Sequence, residues 1–354
     1  MKTLETPRFI KALLNPESYP SLETPARIEM EETHISWLFF TGKFVYKVKK
    51  PVCLGFLDFT KLEQRSHFCD EELRLNRRLS PEVYLGKVEI REDGDHCFLE
   101  RSSGRLLDYA VKMRQLPKDR WLSELLQKNQ VTPEDMSRIA ERIARFHQII
   151  RFDEEVVRMA RWETVLFNVL ENFKQTEEFQ GKTITREQYS VIREFMETFL
   201  EEQKQVFRKR EKDGYLRECH GDLHSANICL EKESIEFIDC IEFNPRFRYS
   251  DTVAEVAFTL MDLDYYHHSE LAPFFIKTYL EYFPDPDFLK LLSFYKCYRA
   301  YTRGKIESFC LQLPKIPQSH VPNHHLRASR YFELAESYAD QNTRHVIGTK
   351  GIRK

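Results

Sequence analysis

Hydrophobic and polar positions change period along this chain, and each change marks an element. Residues 35–40 and 44–49 are dense in β-branched and aromatic side chains around the turn Thr41-Gly42-Lys43, a pattern that predicts a β-hairpin. Residues 27–31 can supply a preceding strand, and 106–113 read as a later one. Alternation within 44–49 puts Lys47 and Lys49 on one face, opposite Tyr46 and Val48. The period then lengthens. In 66–79, Phe68, Glu72, Leu75 and Leu79 share one helical face. In 133–150, Thr132 is placed to cap a helix whose apolar side carries Met136, Ile139, Ile143, Phe146, His147 and Ile150; His147 reads there as a core histidine. Residues 160–215 are helical in pattern and highly charged, with a break at Gln180-Gly181-Lys182-Thr183. Helical periods return in 252–263, 271–283, 288–306 and 328–338. The stretch 341–354 has no apolar period and is expected to be a disordered basic tail.

Strands cluster early and helices late, which indicates an α+β chain with a small antiparallel β part followed by a larger, mainly helical part. At 354 residues and 42% hydrophobic content the chain can bury a sizeable core. Its net charge of −2 provides no global field to draw nucleic acid or an anionic membrane. No run approaches the length of a membrane span, and residues 1–8 lack the apolar core of a signal peptide. Eight cysteines without a Cys-x-x-Cys pair suit reduced thiols, so the expectation is a cytoplasmic protein with no nucleic-acid or membrane partner.

The candidate chemistry lies in His220-Gly-Asp222-Leu-His224-Ser-Ala-Asn227 and, twelve residues on, Asp239. Kinase-type phosphoryl transfer uses an Asp on the acceptor hydroxyl, an Asn five positions later on Mg²⁺, and a second Asp, after a strand, on the same metal–nucleotide. Asp222, Asn227 and Asp239 have that spacing. Ile228, Cys229 and Leu230 lead away from the Asn, 231–234 form a charged turn, and 235–238 lead back to Asp239, so the reading is loop, hairpin, metal ligand. His220 and His224, four apart, would suit zinc on a helix, but Gly221 followed by Asp222 reads as a loop.

This run resembles the catalytic core of the aminoglycoside phosphotransferase-like family, within the protein-kinase-like fold. The longer segment Phe237-Ile-Asp-Cys-Ile-Glu-Phe-Asn-Pro-Arg-Phe-Arg-Tyr249 further resembles a bacterial branch of it. The resemblance implies a bilobal fold, with residues 1–113 as a β-rich nucleotide lobe and 114–340 as a helical catalytic and acceptor lobe. It implies ATP and Mg²⁺ as cofactors and a small-molecule hydroxyl as acceptor. Lys47, in a Val-Tyr-Lys context, would position the phosphates, with Lys49 as the alternative. Glu72 on the apolar face of its helix would orient the lysine, with Glu71 as the alternative. Met113, Arg114, Gln115 and Leu116 would seat the base where the lobes join. The chain departs from the protein kinases in lacking Gly-x-Gly-x-x-Gly: its first glycine is Gly42, and Glu32, Thr33 and His34 would have to supply the phosphate turn. Modification of a protein, or nucleotide binding without catalysis, are the rival functions. For the acceptor, Glu242, Asp262 and Asp264 could favour a polycation, whereas Arg246 and Arg248 oppose one.

Overall fold

The computed structural model describes residues 6–21, 25–55, 57–312 and 321–350, with side chains up to residue 341 in the last stretch. In chain order the strands are β1 (Glu29–Glu32), β2 (Ser36–Phe40), β3 (Phe44–Lys49), β4 (Tyr84–Asp93), β5 (His96–Leu99), β6 (Arg105–Arg114), β7 (Leu216–Glu218), β8 (Ile228–Leu230), β9 (Ile235–Phe237) and β10 (Tyr249–Asp251). The helices are α1 (Arg8–Ala12), α2 (Leu62–Asn76), α3 (Leu122–Gln127), α4 (Pro133–Ile149), α5 (Glu154–Ala160), α6 (Trp162–Thr176), α7 (Arg186–Glu202), α8 (Lys204–Asp213), α9 (Pro245–Arg248), α10 (Thr252–Tyr265), α11 (Ala272–Tyr282), α12 (Phe288–Cys310) and α13 (Val321–Lys350). The α+β expectation holds.

These elements form two compact units. The first comprises Met1–Trp121 and Asn227–Pro245, the second Leu122–Ala226 and Arg246–Lys354. The first unit therefore extends beyond residue 113, where the sequence suggested a boundary, and takes in the β8–β9 hairpin. Local bonds explain this: Trp121 bridges Cys229, Arg120 donates to the Leu230 carbonyl at 2.7 Å, and Arg114 grips Glu231 with two bonds of 2.9 and 2.7 Å.

In the first unit an antiparallel sheet runs in the order β1-β2-β3-β6-β4-β5. The expected hairpin is β2–β3, with Gly42 at φ +90° in its turn, a region that glycine enters without strain. Strand alternation splits the core. On one face Tyr46 and Val48 pack with Ile10, Leu13, Trp37 and Phe39; on the other Val45 packs with Cys69 and Leu73 of α2 and with Val83 and Met113. Lys47 and Lys49 share the α2 face, and both are buried.

Among its described residues the second unit is helical apart from the β7–β10 ladder and connecting turns. A reciprocal capping box starts α4: Thr132 Oγ1 accepts from the Asp135 N–H at 3.2 Å, and the Asp135 carboxylate accepts from the Thr132 N–H at 3.0 Å. Arg210, fully buried, is held bidentately by Asp251 and Asp285 at 2.6–2.8 Å, which ties α8 to the start of α10. The stretch from 341, expected to lack structure, continues α13 as helix to Lys350. Extension adds one hydrogen bond per residue once a helix is nucleated, so it needs no apolar face. Residues 351–354 of that tail lie outside the described residues. Among the described residues the cysteines form no disulfide, and no helix is long and apolar enough to cross a membrane.

Candidate active site

The first unit contains a chain of alternating charges. The Lys47 ammonium lies 2.8 Å from one Glu72 oxygen and 2.5 Å from Asp239, and the Lys49 ammonium lies 2.7 Å from the other Glu72 oxygen and is bonded to Glu242. The order is therefore Asp239, Lys47, Glu72, Lys49, Glu242. Glu72 is completely buried, an arrangement that is tolerable only with such partners. Burial alone would raise its carboxyl, but the two lysines outweigh burial and hold it at about 2. Burial would likewise discharge Lys47, yet Asp239 and Glu72 drive its ammonium well above the ordinary value. Glu71 faces away and pairs with Arg74 at 2.9 Å.

Asp239 follows β9 with φ +64°, and its side chain is half exposed. Its N–H donates to Tyr84 Oη at 3.0 Å, and the next N–H, of Cys240, donates to Asn76 Oδ1 at 2.9 Å. The Asn227 carbonyl accepts from the Ile238 N–H at 3.0 Å, so the hairpin brings the start of β8 beside the end of β9. An exposed carboxylate and an amide oxygen are hard donors suited to Mg²⁺.

The other predicted nucleotide residues are placed as follows. Met113 is the ladder partner of Val45, and Leu116 is buried. The Arg114 and Gln115 amides are taken up by the Val83 and Lys43 carbonyls at 2.8 and 2.9 Å. Thr33 Oγ1 closes its own turn, accepting from the Ser36 N–H at 3.0 Å, while Lys50 binds Glu32 at 2.7 Å and the Thr33 carbonyl. A side-chain clasp thus closes the turn between β1 and β2.

The second unit contains the loop that carries Asp222. Three polar residues of α10, Glu255, Thr259 and Asp262, are spaced to lie on one helical face and are buried. The Glu255 carboxylate accepts from the N–H groups of His220 (2.7 and 3.0 Å) and Gly221 (3.1 Å). Thr259 donates to the Leu223 carbonyl at 2.8 Å, and Asp262 accepts from the Ser225 N–H and Oγ at 2.7 and 2.5 Å. Arg299 of α12 adds a bond of 3.2 Å to the Gly221 carbonyl. His147 is the core histidine expected, and it also touches this lattice: Nε2 lies 3.2 Å from Glu255, and Nδ1 2.7 Å from the Tyr279 hydroxyl. Burial would raise Glu255, but His147 and His220 hold it at about 2.

His224 Nδ1 accepts from the Ala226 N–H at 3.2 Å, so its proton sits on Nε2, which faces Asp222 Oδ2 at 3.4 Å. Burial would raise the Asp222 carboxyl, but His224, Arg303 and His220 overcome this and keep it well below the usual carboxylate range.

Sequence reasoning missed the α10 stripe, Arg299 and Arg303, and the Lys49–Glu242 pair. The stripe had a signal: Glu, Thr and Asp at i, i+4 and i+7 within a largely apolar helix require buried partners. The three carboxylates considered for a polycation are committed elsewhere, Glu242 to Lys49, Asp262 to Ser225, and Asp264 to Lys296, Tyr338 and Ser269 (2.7 Å). Arg246 pairs with Glu171 at 2.8 Å and Arg248 with Glu218 at 3.3 Å.

No family model matches the chain. Proteins named only as uncharacterized in Mycobacterium tuberculosis and Mycobacterium bovis are 28% identical over 291 residues, 82% of this chain and 56% of theirs, so the chain spans just over half their length. Among solved structures, choline kinase from Cryptosporidium parvum superposes with a TM-score of 0.57 at 13% identity, covering 97% of each chain. The GDP complex of aminoglycoside 2′-phosphotransferase-IIIa gives 0.55 at 13%, covering 95% of this chain and 100% of the other. Amicoumacin kinase, in complex with AMP-PNP and Ca²⁺, gives 0.51 at 14%, covering 93% and 91%. The fold is therefore that of the aminoglycoside phosphotransferase-like, protein-kinase-like structures.

Proposed function

We propose that this protein is a small-molecule kinase that transfers the γ-phosphoryl group of ATP to a hydroxyl. The observation that carries the reading is the Asp239–Lys47–Glu72 array: a solvent-accessible carboxylate joined through a buried lysine to a buried glutamate. A structural ion pair needs no exposed terminus, whereas phosphate positioning does. Support comes from the fold, shared with structures named as kinases of choline and amicoumacin.

Each residue then has a role. Lys47, oriented by Glu72, binds nucleotide phosphate. Asn227 and Asp239 hold Mg²⁺, which when bound neutralises phosphate charge. Beyond the last ladder bonds of β6, the Gln115 carbonyl and Leu116 amide seat the base. Asp222, ionised at neutral pH, orients the acceptor hydroxyl and takes its proton as the oxygen bonds to the γ-phosphorus and the bond to the ADP oxygen breaks. Because the transition state is loose, positioning matters more than basicity, which a strongly acidic Asp222 suits. His224 fixes the side chain from its Nε2–H.

The test is incubation with γ-labelled ATP, Mg²⁺ and a metabolite extract, followed by mass spectrometry of the labelled product. Label in a small molecule bearing one added phosphate is expected. Label in protein alone, or none in any fraction, would overturn the reading.

A further inference from the structure

Two lysines reach Glu72, although phosphoryl transfer calls for one. Their other partners distinguish them. Lys47 ends on Asp239, whose side chain is 51% exposed, whereas Lys49 ends on Glu242, 3% exposed, and is itself 1% exposed. The stem of Lys49 is walled in as well, with its ammonium 5.1 Å from the Phe59 ring centre, in an apolar cluster that also packs Phe243 beside Glu242. An ion pair so enclosed has no solvent with which to exchange partners. The Lys47–Asp239 contact does, and a metal on Asp239 would replace it.

Glu242 also stands in the segment that must hold Asp239. Asp239 occupies the left-handed region at φ +64°, a conformation that persists only where its surroundings fix it. The fixing bonds come in succession: Tyr84 Oη on the Asp239 N–H, Asn76 Oδ1 on the Cys240 N–H, and Lys49 on the Glu242 carboxylate. The first two fix one end of the loop, and the third fixes the other.

We propose that Lys49 and Glu242 are a positioning pair for the metal–nucleotide site. The pair holds the Asp239 loop in register and gives Glu72 a permanent cation, so that Lys47 can exchange Asp239 for phosphate while Glu72 stays compensated. The inference deepens the phosphotransferase reading and rests on it. Lys49 is accordingly the fixed lysine and Lys47 the exchanging one.

Calorimetric titration of ATP into the full chain, with and without Mg²⁺, tests this on the parent, Glu242→Gln and the double variant Lys49→Met with Glu242→Met. The double variant removes both members of the buried pair and leaves Glu72 its contact with Lys47, so it remains informative if the single variant fails to fold. Folding is checked by circular dichroism and a cooperative melt. Groups that orient a metal ligand typically govern affinity by about 10- to 100-fold, and a loss of that size is expected with Mg²⁺ present and not in its absence. A folded variant that binds Mg²⁺–ATP as the parent does would overturn the proposal, as would equal losses with and without Mg²⁺. Failure of both variants to fold would also overturn it, by making the pair a determinant of folding. A parent that shows no Mg²⁺-dependent ATP binding would instead sink the phosphotransferase reading.

Discussion

Glu255→Gln tests whether α10 holds the Asp222 loop by charge. The carboxylate receives two backbone N–H groups, His220 and Gly221, together with His147 Nε2, and all of them are buried. A glutamine keeps the shape but brings an NH₂ among converging donors and leaves one unpaired. The depression of Glu255 from 4.5 to about 2 corresponds to about 3 kcal/mol of stabilisation at neutral pH. Hydrogen bonds to a charged group, at about 1.5–3 kcal/mol each before the cost of burial, give the same order. The sign follows from the depression: the contribution is complete above 4.5 and disappears as pH falls through about 2. Urea unfolding followed by circular dichroism should therefore place Glu255→Gln about 3 kcal/mol below the parent at neutral pH. The gap should narrow on acidification below 4.5. Turnover should fall as well, because the loop backbone fixes Asp222. A gap under about 1 kcal/mol, the scale of an ordinary neutral hydrogen bond, would refute the reasoning. So would a gap that does not change on acidification.

Two further outcomes separate the halves of the reaction. Asp222→Asn should lower turnover by about 10²- to 10⁴-fold while ATP affinity is unchanged, since the group acts on the acceptor; turnover close to the parent's removes it from that role. Asp239→Ala should abolish the Mg²⁺-dependent part of ATP binding measured by calorimetry, and unchanged Mg²⁺ dependence would make the residue structural.

Local chemistry was legible in the sequence wherever one element carried it. Alternation in 44–49 placed both lysines on one face, and helical period placed Glu72 on the face toward them. Its neighbour Glu71 points to Arg74 instead. What escaped were partners distant in sequence. Nothing local to Glu242 shows that it meets Lys49, 193 residues away, or that Glu255 collects amides 34 and 35 residues back. Side-chain charge counted along the chain cannot tell a free carboxylate from one already paired. The tail erred in the other direction, because the absence of an apolar face removes a reason to pack without removing a reason to continue a helix.

The same distinction bears on the acceptor. Counted in sequence, Glu242, Asp262 and Asp264 argue for a polycation, Arg246 and Arg248 argue against one, and the sides nearly cancel. In the structure both sides of that count drop out. Each of the three carboxylates is held by an internal donor, and each of the two arginines by an internal carboxylate. Arg303, which helps keep Asp222 ionised and which no sequence count had included, is likewise engaged by a carboxylate, that of Glu307 at 4.0 Å. An incoming polycation would find each of the three carboxylates already engaged by an internal donor, with none offered to it. The expected acceptor is therefore a neutral or anionic hydroxylated metabolite, such as a sugar or nucleoside. Expression in a sensitive bacterium, with growth measured against a panel of aminoglycosides, should give no protection; resistance that is lost with Asp222→Asn would refute the argument.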